Sequence, residues 1–178
     1  MKATGIVRRI DDLGRVVIPK EIRRTMRIRE GDPLEIYTDV GGEVIFKKYS
    51  PIGEMGSMAM QYVEALNKVS GIPAVITDRD RIIAVSGTSK KDLIDRKISP
   101  GLEELIENRQ NYIYSGDNEK LYLVSDKEKQ ILVCFPIISS GDICGSVVLL
   151  CDEGVAKTGD TEIKLTSTAA LFLSKQME

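Results

Sequence analysis

The stretch that decides the fold of the first part of the chain is GRVVIPKEIRRT, residues 14–25. Its β-branched residues, Val16–Ile18, predict a short strand over Arg15–Ile18. Pro19 ends that strand because proline has no backbone N–H for a sheet ladder. Proline is also favoured at the start of a helix, so Lys20–Met26 is predicted to be a short helix. The stretch therefore predicts a strand that passes directly into a helix with two adjacent arginines.

Further short strands are predicted on both sides of this stretch. Apolar and polar residues alternate over Gly5–Ile10, which predicts a strand, and residues 11–14 supply the turn that follows it. Beyond the helix, Leu34–Asp39 and Glu43–Lys48 are predicted to pair as a hairpin across residues 40–42. The order is β-β-α-β-β within about fifty residues.

This small unit has more apolar side chains than it can bury by itself. A domain of about fifty residues buries little surface and is marginally stable. Strands this short with apolar residues on both faces need a second layer, and an identical copy is the simplest one. We therefore expect an obligate dimer with interleaved strands. The apolar residues concerned are Ile6, Val7, Ile10, Val16, Val17, Ile18, Leu34, Ile36, Val44, Ile45 and Phe46.

The charge of the chain is unevenly distributed. The formal net charge is −2, yet residues 1–29 contain nine basic and three acidic side chains, and residues 51–178 contain 14 basic and 19 acidic ones. A basic end on an acidic protein is typical of nucleic-acid binding. We therefore expect the partner of the first unit to be double-stranded DNA.

The composition argues against several classes of protein. The 178 residues include no histidine, which removes the commonest general base and metal ligand, so we expect no enzyme and no metal site. Three cysteines without an export signal argue against a disulfide framework. No apolar run is long enough to span a membrane. We expect a cytoplasmic, nucleoid-associated protein.

The arginines of the first unit cluster at strand ends and on the helix. Guanidinium is always charged and matches phosphate oxygens or the guanine edge with two hydrogen bonds, as lysine cannot. The alternative for each arginine is solvation or an ion pair with Asp11, Asp12 or Glu21. A symmetric dimer would present the whole cluster twice, which suits duplex DNA.

Three motifs of the first unit resemble the AbrB-type swapped-hairpin transcription regulators. They are MKATGIVRRID at residues 1–11, GRVVIP at 14–19 and EIRRT at 21–25. The resemblance implies that Arg8, Arg15, Arg23 and Arg24 contact DNA, and proximity adds Arg9 and Lys20. Lys20 is a departure, because a well-known member of the family has an apolar residue there.

The remainder of the chain, taken as residues 53–178 after a first domain of 1–52, is predicted to be an α+β sandwich. A helix carries a heptad-like seam of Met55, Ala59, Tyr62, Leu66 and Val69, which is either a core face, a dimer seam or both. Strands, short helices and an apolar hairpin of Gln130–Ile138 and Asp142–Cys151 follow. The last helix, Thr161–Gln176, is expected to turn Ile163, Leu165, Ala169, Phe172 and Leu173 inward.

The order of elements in this second domain resembles that of GAF domains, which implies a pocket for a small molecule. No ligand motif is present, so no cofactor is assigned and the ligand is unidentified. Residues 86–89, a Ser-Gly-Thr-Ser run, either bind a ligand or form a turn and a helix cap, and we favour the second. In the expected hairpin register, Cys134 lies opposite Val147 and on the other sheet face from Cys144, so these two thiols cannot pair.

Together these features predict a sequence-specific DNA-binding transcription regulator, an activator and repressor. Its whole-chain resemblance is to regulators of sporulation genes that join such a module to a GAF-type domain. The GAF-like domain would serve oligomerisation, with dimers closing into a homotetramer, and small-molecule sensing. The alternative is an antitoxin-type autoregulator, whose tail is usually disordered. A third, a redox enzyme using the cysteines, has the least support.

Overall fold

The computed structural model of the protein describes residues 5–126, 129–151 and 158–178. The chain divides into two compact units, Met1–Tyr49 and Ser50–Glu178. The domain bounds expected from the sequence, 1–52 and 53–178, remain a prediction. Ile52 is fully buried in the core of the second unit. It lies on a short helix that begins at Pro51 and is capped by Ser50.

One helix and one hairpin form in the described part of the first unit, residues 5–49. Helix α1 is Lys20–Met26, and strands β1, Leu34–Thr38, and β2, Val44–Lys48, pair antiparallel. Pro19 precedes the helix, as the sequence predicted, and α1 ends where Arg27 takes a left-handed φ of 53°. The predicted helix and hairpin are confirmed to within one residue at each end.

The two strands predicted before α1 are absent from the single chain. Residues 5–10 and 15–18 have no strand pairing in the described structure, so the prediction is wrong for the isolated chain. A tight turn still joins them, since the Asp11 N–H donates to the Arg15 carbonyl at 3.0 Å. Gly14 has the positive φ of 77° that this turn requires.

The first unit has almost no buried core. Among the described residues 5–49, only Pro19 falls in the buried class. Val7 is 90% exposed, and many other large apolar side chains are open to solvent. They are Ile6, Ile10, Leu13, Val16, Val17, Met26, Ile36, Tyr37, Val40, Val44 and Tyr49.

The second unit is built on a five-stranded antiparallel sheet. Its strands are β3 (Ala74–Thr77), β4 (Ile82–Ser86), β5 (Tyr112–Ile113), β6 (Ile131–Ser139) and β7 (Asp142–Leu150), in the order β4-β3-β7-β6-β5. Its helices are α2 (Pro51–Glu54), α3 (Gly56–Ser70), α4 (Lys90–Leu93), α5 (Pro100–Glu107) and α6 (Asp160–Gln176). The predicted hairpin of Gln130–Ile138 and Asp142–Cys151 and the predicted last helix, Thr161–Gln176, are confirmed to within one residue at each end.

Apolar cores cover both faces of the sheet. On one face α3 and α6 pack through residues such as Ala59, Val63 and Leu173. On the other face α5 packs through Leu102 and Ile106. Successive sheet residues point to alternate faces, so both sides of the strands are buried. The predicted α+β sandwich is confirmed.

The register of the β6–β7 hairpin differs from the prediction by one residue. Cys134 lies opposite Val148, not Val147, because the ladder is irregular between Ile137 and Ile138 and skips one residue of β7 there. Such a bulge places an extra residue on one strand. Cys134 and Cys144 still belong to opposite cores, as expected.

One face of α3 and α6 carries apolar side chains away from the sheet. The heptad-like seam divides between two faces: Ala59 and Leu66 are buried, whereas Val69 is 71% exposed. Phe172 was expected inward but is 41% exposed, because its ring stacks on Tyr62 at 5.2 Å between centroids on the outer side. We call this surface the α3–α6 face; it includes Met58, Tyr62, Val69, Leu171 and Phe172.

The close approach of β7 to the end of β3 gives a stability prediction. A Cβ on Gly145 would lie 1.9 Å from the Thr77 carbonyl oxygen, so Gly145→Ala must push the strands apart. Overpacking of this kind costs about 1–3 kcal/mol, and a rigid backbone neighbour places the change at the upper end. Urea denaturation should show this loss. Gly56→Ala, which meets nothing within 4 Å, is the matched control and should unfold no earlier than wild type.

Candidate nucleic-acid interface

Three of the six predicted contact residues lie on helix α1. Lys20 is its first residue, and Arg23 and Arg24 follow three and four positions later. This spacing places the three cations on adjacent positions of one helix surface. Lys20 and Arg24 are exposed and Arg23 is half-buried. The short helix therefore presents a compact cationic group.

The Arg23 guanidinium is not fully satisfied in the single chain. Its Nε is buried and has no hydrogen-bond acceptor among the described residues. A buried donor without an acceptor is unfavourable, so an acceptor from outside the single chain would stabilise it. A phosphate oxygen is an acceptor of the required kind.

The other three predicted contact residues lie beside the tight turn. Arg8, Arg9 and Arg15 are all exposed, the first two on the extended segment before the turn and the third directly after it. The turn hydrogen bond from Asp11 to Arg15 brings the two segments side by side. The structure therefore groups the predicted residues as a turn cluster and a helix cluster.

Arg15 is held by Asp11. The Arg15 Nε donates to Asp11 Oδ2 at 2.8 Å, and the Arg15 backbone N–H donates to Asp11 Oδ1 at 2.8 Å. The side chains remain 70% and 37% exposed, respectively. The ion pair considered as an alternative for the arginines therefore does form at this position. Sequence reasoning treated Asp11 as a turn residue and as a competitor for arginine, and did not predict that it would hold Arg15, because its orientation toward Arg15 depends on the turn geometry.

The same hydrogen bonds act on the acidity of Asp11. The backbone N–H of Arg15 and then its guanidinium stabilise the carboxylate and lower the pKa of Asp11 below 3.8. The carboxylate is therefore ionised at neutral pH, and the turn contains a full negative charge next to the guanidinium.

The backbone of Arg27 and Arg29 takes part in contacts at the end of α1. The Arg27 carbonyl accepts a hydrogen bond from Lys48 Nζ at 3.0 Å. The Arg29 backbone N–H donates to Asp32 Oδ2 at 2.8 Å, and Lys48 forms an ion pair with that carboxylate. These contacts fix the C-terminal end of the helix against β2.

The Ser-Gly-Thr-Ser run of the second unit has the geometry of a turn. The Ser86 hydroxyl donates to Asn67 Oδ1 at 3.3 Å, and Gly87 has a φ of 82°. Ser89 immediately precedes α4 and its hydroxyl hydrogen-bonds to Asp92. These contacts support the turn, and Ser89 stands at the N-cap position of α4, but its side chain makes no capping hydrogen bond to the helix backbone.

Cys134 and Cys144 are buried, and Cys151 is half-buried. Burial raises the pKa of Cys134 to about 12, and burial also raises the pKa of Cys144. A thiol with such a pKa has almost no thiolate at neutral pH, and the thiolate is the nucleophile.

In the described residues no group of histidine, cysteine and carboxylate side chains could hold a metal ion. No helix among them is both long and apolar enough to cross a membrane.

Comparison with known proteins identifies the family. Residues 54–178 match the model of the stage V sporulation protein T C-terminal, transcription factor, and residues 7–53 match that of MazE, an antidote-toxin recognition module of bacterial antitoxins. Stage V sporulation protein T of Bacillus subtilis is 52% identical over 180 residues, covering 100% of this chain and 99% of that protein. The chain belongs to the stage V sporulation protein T family.

Two further similarities account for the two units. The transition state regulatory protein AbrB of B. subtilis is 63% identical over 51 residues, or 29% of this chain and 52% of that protein. The GAF domain of an Acinetobacter phosphoenolpyruvate-protein phosphotransferase has a TM-score of 0.53 and 9% identity, covering 74% of this chain and 84% of that one, which shows the fold alone.

Membership of this family confirms the main sequence-based interpretation. The chain is a DNA-binding transcription regulator of the sporulation family, with an AbrB-like first unit and a GAF-like fold in the second. The roles of the individual basic residues remain predictions, since similarity over a region does not assign contacts.

The Asp11–Arg15 hydrogen bonds predict a measurable titration. Carboxyl-detected NMR should give Asp11 a pKa below 3.8 in wild type. In Arg15→Ala the backbone N–H remains, so the pKa should rise only part of the way back. Because the folded pKa is the lower one, the stabilisation is present above the unfolded pKa and is lost as pH falls through the folded pKa. Identical Asp11 pKa values in both proteins would contradict the observed ion pair.

Proposed function

We propose that two copies of the first unit interleave and bind duplex DNA through a doubled set of basic side chains. The observation that carries this proposal is the near absence of buried residues in a unit so rich in apolar side chains. A second copy would cover them and give residues 5–10 and 15–18 strand partners. The DNA-contacting residues of the proposal are Arg8, Arg9, Arg15, Lys20, Arg23 and Arg24.

Both the turn cluster and the helix cluster contact DNA in this proposal. Arginine matches both phosphate oxygens and the O6/N7 edge of guanine, so either cluster can supply base contacts or backbone contacts. The short helix α1 carries three cations on one surface, and the turn carries three more. If each subunit neutralises about four phosphates, the affinity should fall steeply as salt rises.

An antitoxin-type autoregulator is the second candidate function, because residues 7–53 match an antitoxin model. Both candidates bind DNA through the first unit. They differ in the rest of the chain, where an antitoxin usually has a disordered segment that wraps a toxin. Here the second unit has two apolar cores on a five-stranded sheet, which favours the regulator.

We propose that the α3–α6 face joins such dimers into a tetramer. Val69 and Leu171 are 71% and 62% exposed on this face, next to the stacked pair of Tyr62 and Phe172. A contiguous apolar surface of this kind on a soluble chain typically marks an interface. Contacts at two separate surfaces would close the assembly as a homotetramer.

The remaining roles follow from the proposed regulator. The GAF-like unit would sense an unidentified small molecule, and the complex would act in the cytoplasm on the nucleoid as both activator and repressor of sporulation genes. We propose no catalytic activity, since the buried Cys134 is protonated at neutral pH and the sequence has no histidine to activate a thiol.

The helix cluster gives a direct test of DNA binding. Arg23→Ala combined with Arg24→Ala should reduce duplex affinity by more than about 100-fold, since two charge-assisted contacts are lost from each subunit. Mobility shifts measure the affinity, and light scattering should show an unchanged oligomer. Lys90→Ala, which removes a cation paired with Glu64 in the second unit, is the control. Wild-type affinity in the double variant would refute the assignment of these residues.

The α3–α6 face gives a test of the tetramer. Val69→Glu with Leu171→Glu should convert tetramers to dimers, because burying a carboxylate in an apolar contact is strongly unfavourable. Analytical ultracentrifugation measures the mass. Lys68→Glu places the same charge on an exposed neighbouring position of α3 and should leave the mass unchanged. A double-glutamate variant that stays tetrameric would rule out this face.

A further inference from the structure

We propose that Asp11 is a positioning residue that aims the Arg15 guanidinium at DNA. The inference deepens the proposed function and rests on it, since Arg15 is one of the proposed contact residues. It concerns an acidic side chain, which charge alone would exclude from a DNA interface. The geometry of the turn gives Asp11 a role that its charge does not suggest.

The two oxygens of the Asp11 carboxylate perform separate tasks. Oδ1 accepts the backbone N–H groups of Leu13 at 3.0 Å and Arg15 at 2.8 Å, which closes the turn. Oδ2 accepts the Arg15 side-chain Nε at 2.8 Å. One carboxylate therefore fixes both the backbone and the side chain of Arg15, so the direction of the guanidinium is tied to the turn.

The ion pair leaves Arg15 able to meet DNA. It uses the Nε–H of a group that has five N–H donors, and the edge formed by the two terminal nitrogens is the one that grips phosphate or guanine in pairs. The side chain is 70% exposed. A long arginine loses rotamer freedom when it binds, and a side chain already held in one direction loses less.

The amide variant separates the two tasks. Asp11→Asn keeps an oxygen that can close the turn, since asparagine forms the same kind of side-chain turn. Its second atom becomes an NH₂ donor, which cannot accept from the Arg15 Nε. Asp12→Asn is the matched control, because it removes the same charge one residue along the same turn while Asp11 retains both of its contacts to Arg15.

Charge and positioning predict opposite signs for this variant. Removing a negative charge near DNA strengthens binding if only the net charge matters. Loss of positioning weakens binding, and we expect about a five- to tenfold loss of affinity for Asp11→Asn. Asp12→Asn should bind as wild type or slightly more tightly. The sign of the change therefore distinguishes a positioning role from a bystander charge.

The experiment is a double-mutant cycle on the full-length chain. Affinity is measured for wild type, Asp11→Asn, Arg15→Ala and their combination on a duplex that wild type enriches from a random-sequence library. In the Arg15→Ala background, Asp11→Asn should change affinity less than twofold, because its target is gone. The NMR amide chemical shifts of residues 11–15 in Asp11→Asn should stay near those of wild type. The chemical shift of the Arg15 Nε–H should move away from that of the hydrogen-bonded group in wild type.

The outcomes separate this inference from the proposed function. Enrichment of no duplex by wild type would overturn the function itself. Wild-type binding together with tighter or unchanged binding by Asp11→Asn would overturn the positioning role alone. An equal loss from Asp11→Asn with and without Arg15 would also overturn it, since the effect would then not pass through the guanidinium. If the turn amides shift widely in Asp11→Asn, the same substitution is also made in the Arg15→Lys background. The loss of DNA affinity should then be smaller than in the background with Arg15, because lysine has no Nε–H to donate to Oδ2.

Discussion

The burial of apolar surface in the first fifty residues is the constraint on which the rest of the structure depends. Val7 is 90% exposed, Ile10 72% and Val17 70%, and Pro19 alone is buried among the described residues of this unit. A chain cannot remain folded and soluble with so much apolar area in water. The second copy that removes this area also doubles the arginines, so the same contact would create the fold and the DNA-binding surface.

The second unit buries most of its large apolar side chains within a single chain. Its sheet has an apolar core on each side, and the large apolar residues that stay exposed among the described residues of this unit are Ile113 of β5 and those on the outer sides of α3 and α6. The stacked rings of Tyr62 and Phe172 lie within the exposed area of α3 and α6. The proposed function assigns the exposed apolar residues of the first unit to the dimer and those of α3 and α6 to the tetramer.

The parts that sequence predicted well depend on local chemistry. Pro19 marks the start of α1, as the sequence predicted. Features that depend on distant partners were harder to predict. Strands at residues 5–10 and 15–18 have no partner in one chain, the bulge in β7 shifts Cys134 by one position, and Phe172 turns outward to meet Tyr62. The grouping of basic residues followed from sequence, whereas the hold of Asp11 on Arg15 required coordinates.

Hydrogen–deuterium exchange of the full-length protein tests the requirement for a second copy most directly. The account predicts that the amides of residues 5–10 and 15–18, which have no ladder partner in one chain, are protected when the protein is oligomeric. It also predicts that they lose protection together on dilution below the dimer dissociation constant. Fast exchange of these amides in a sample shown by light scattering to be fully oligomeric would contradict the interleaved dimer.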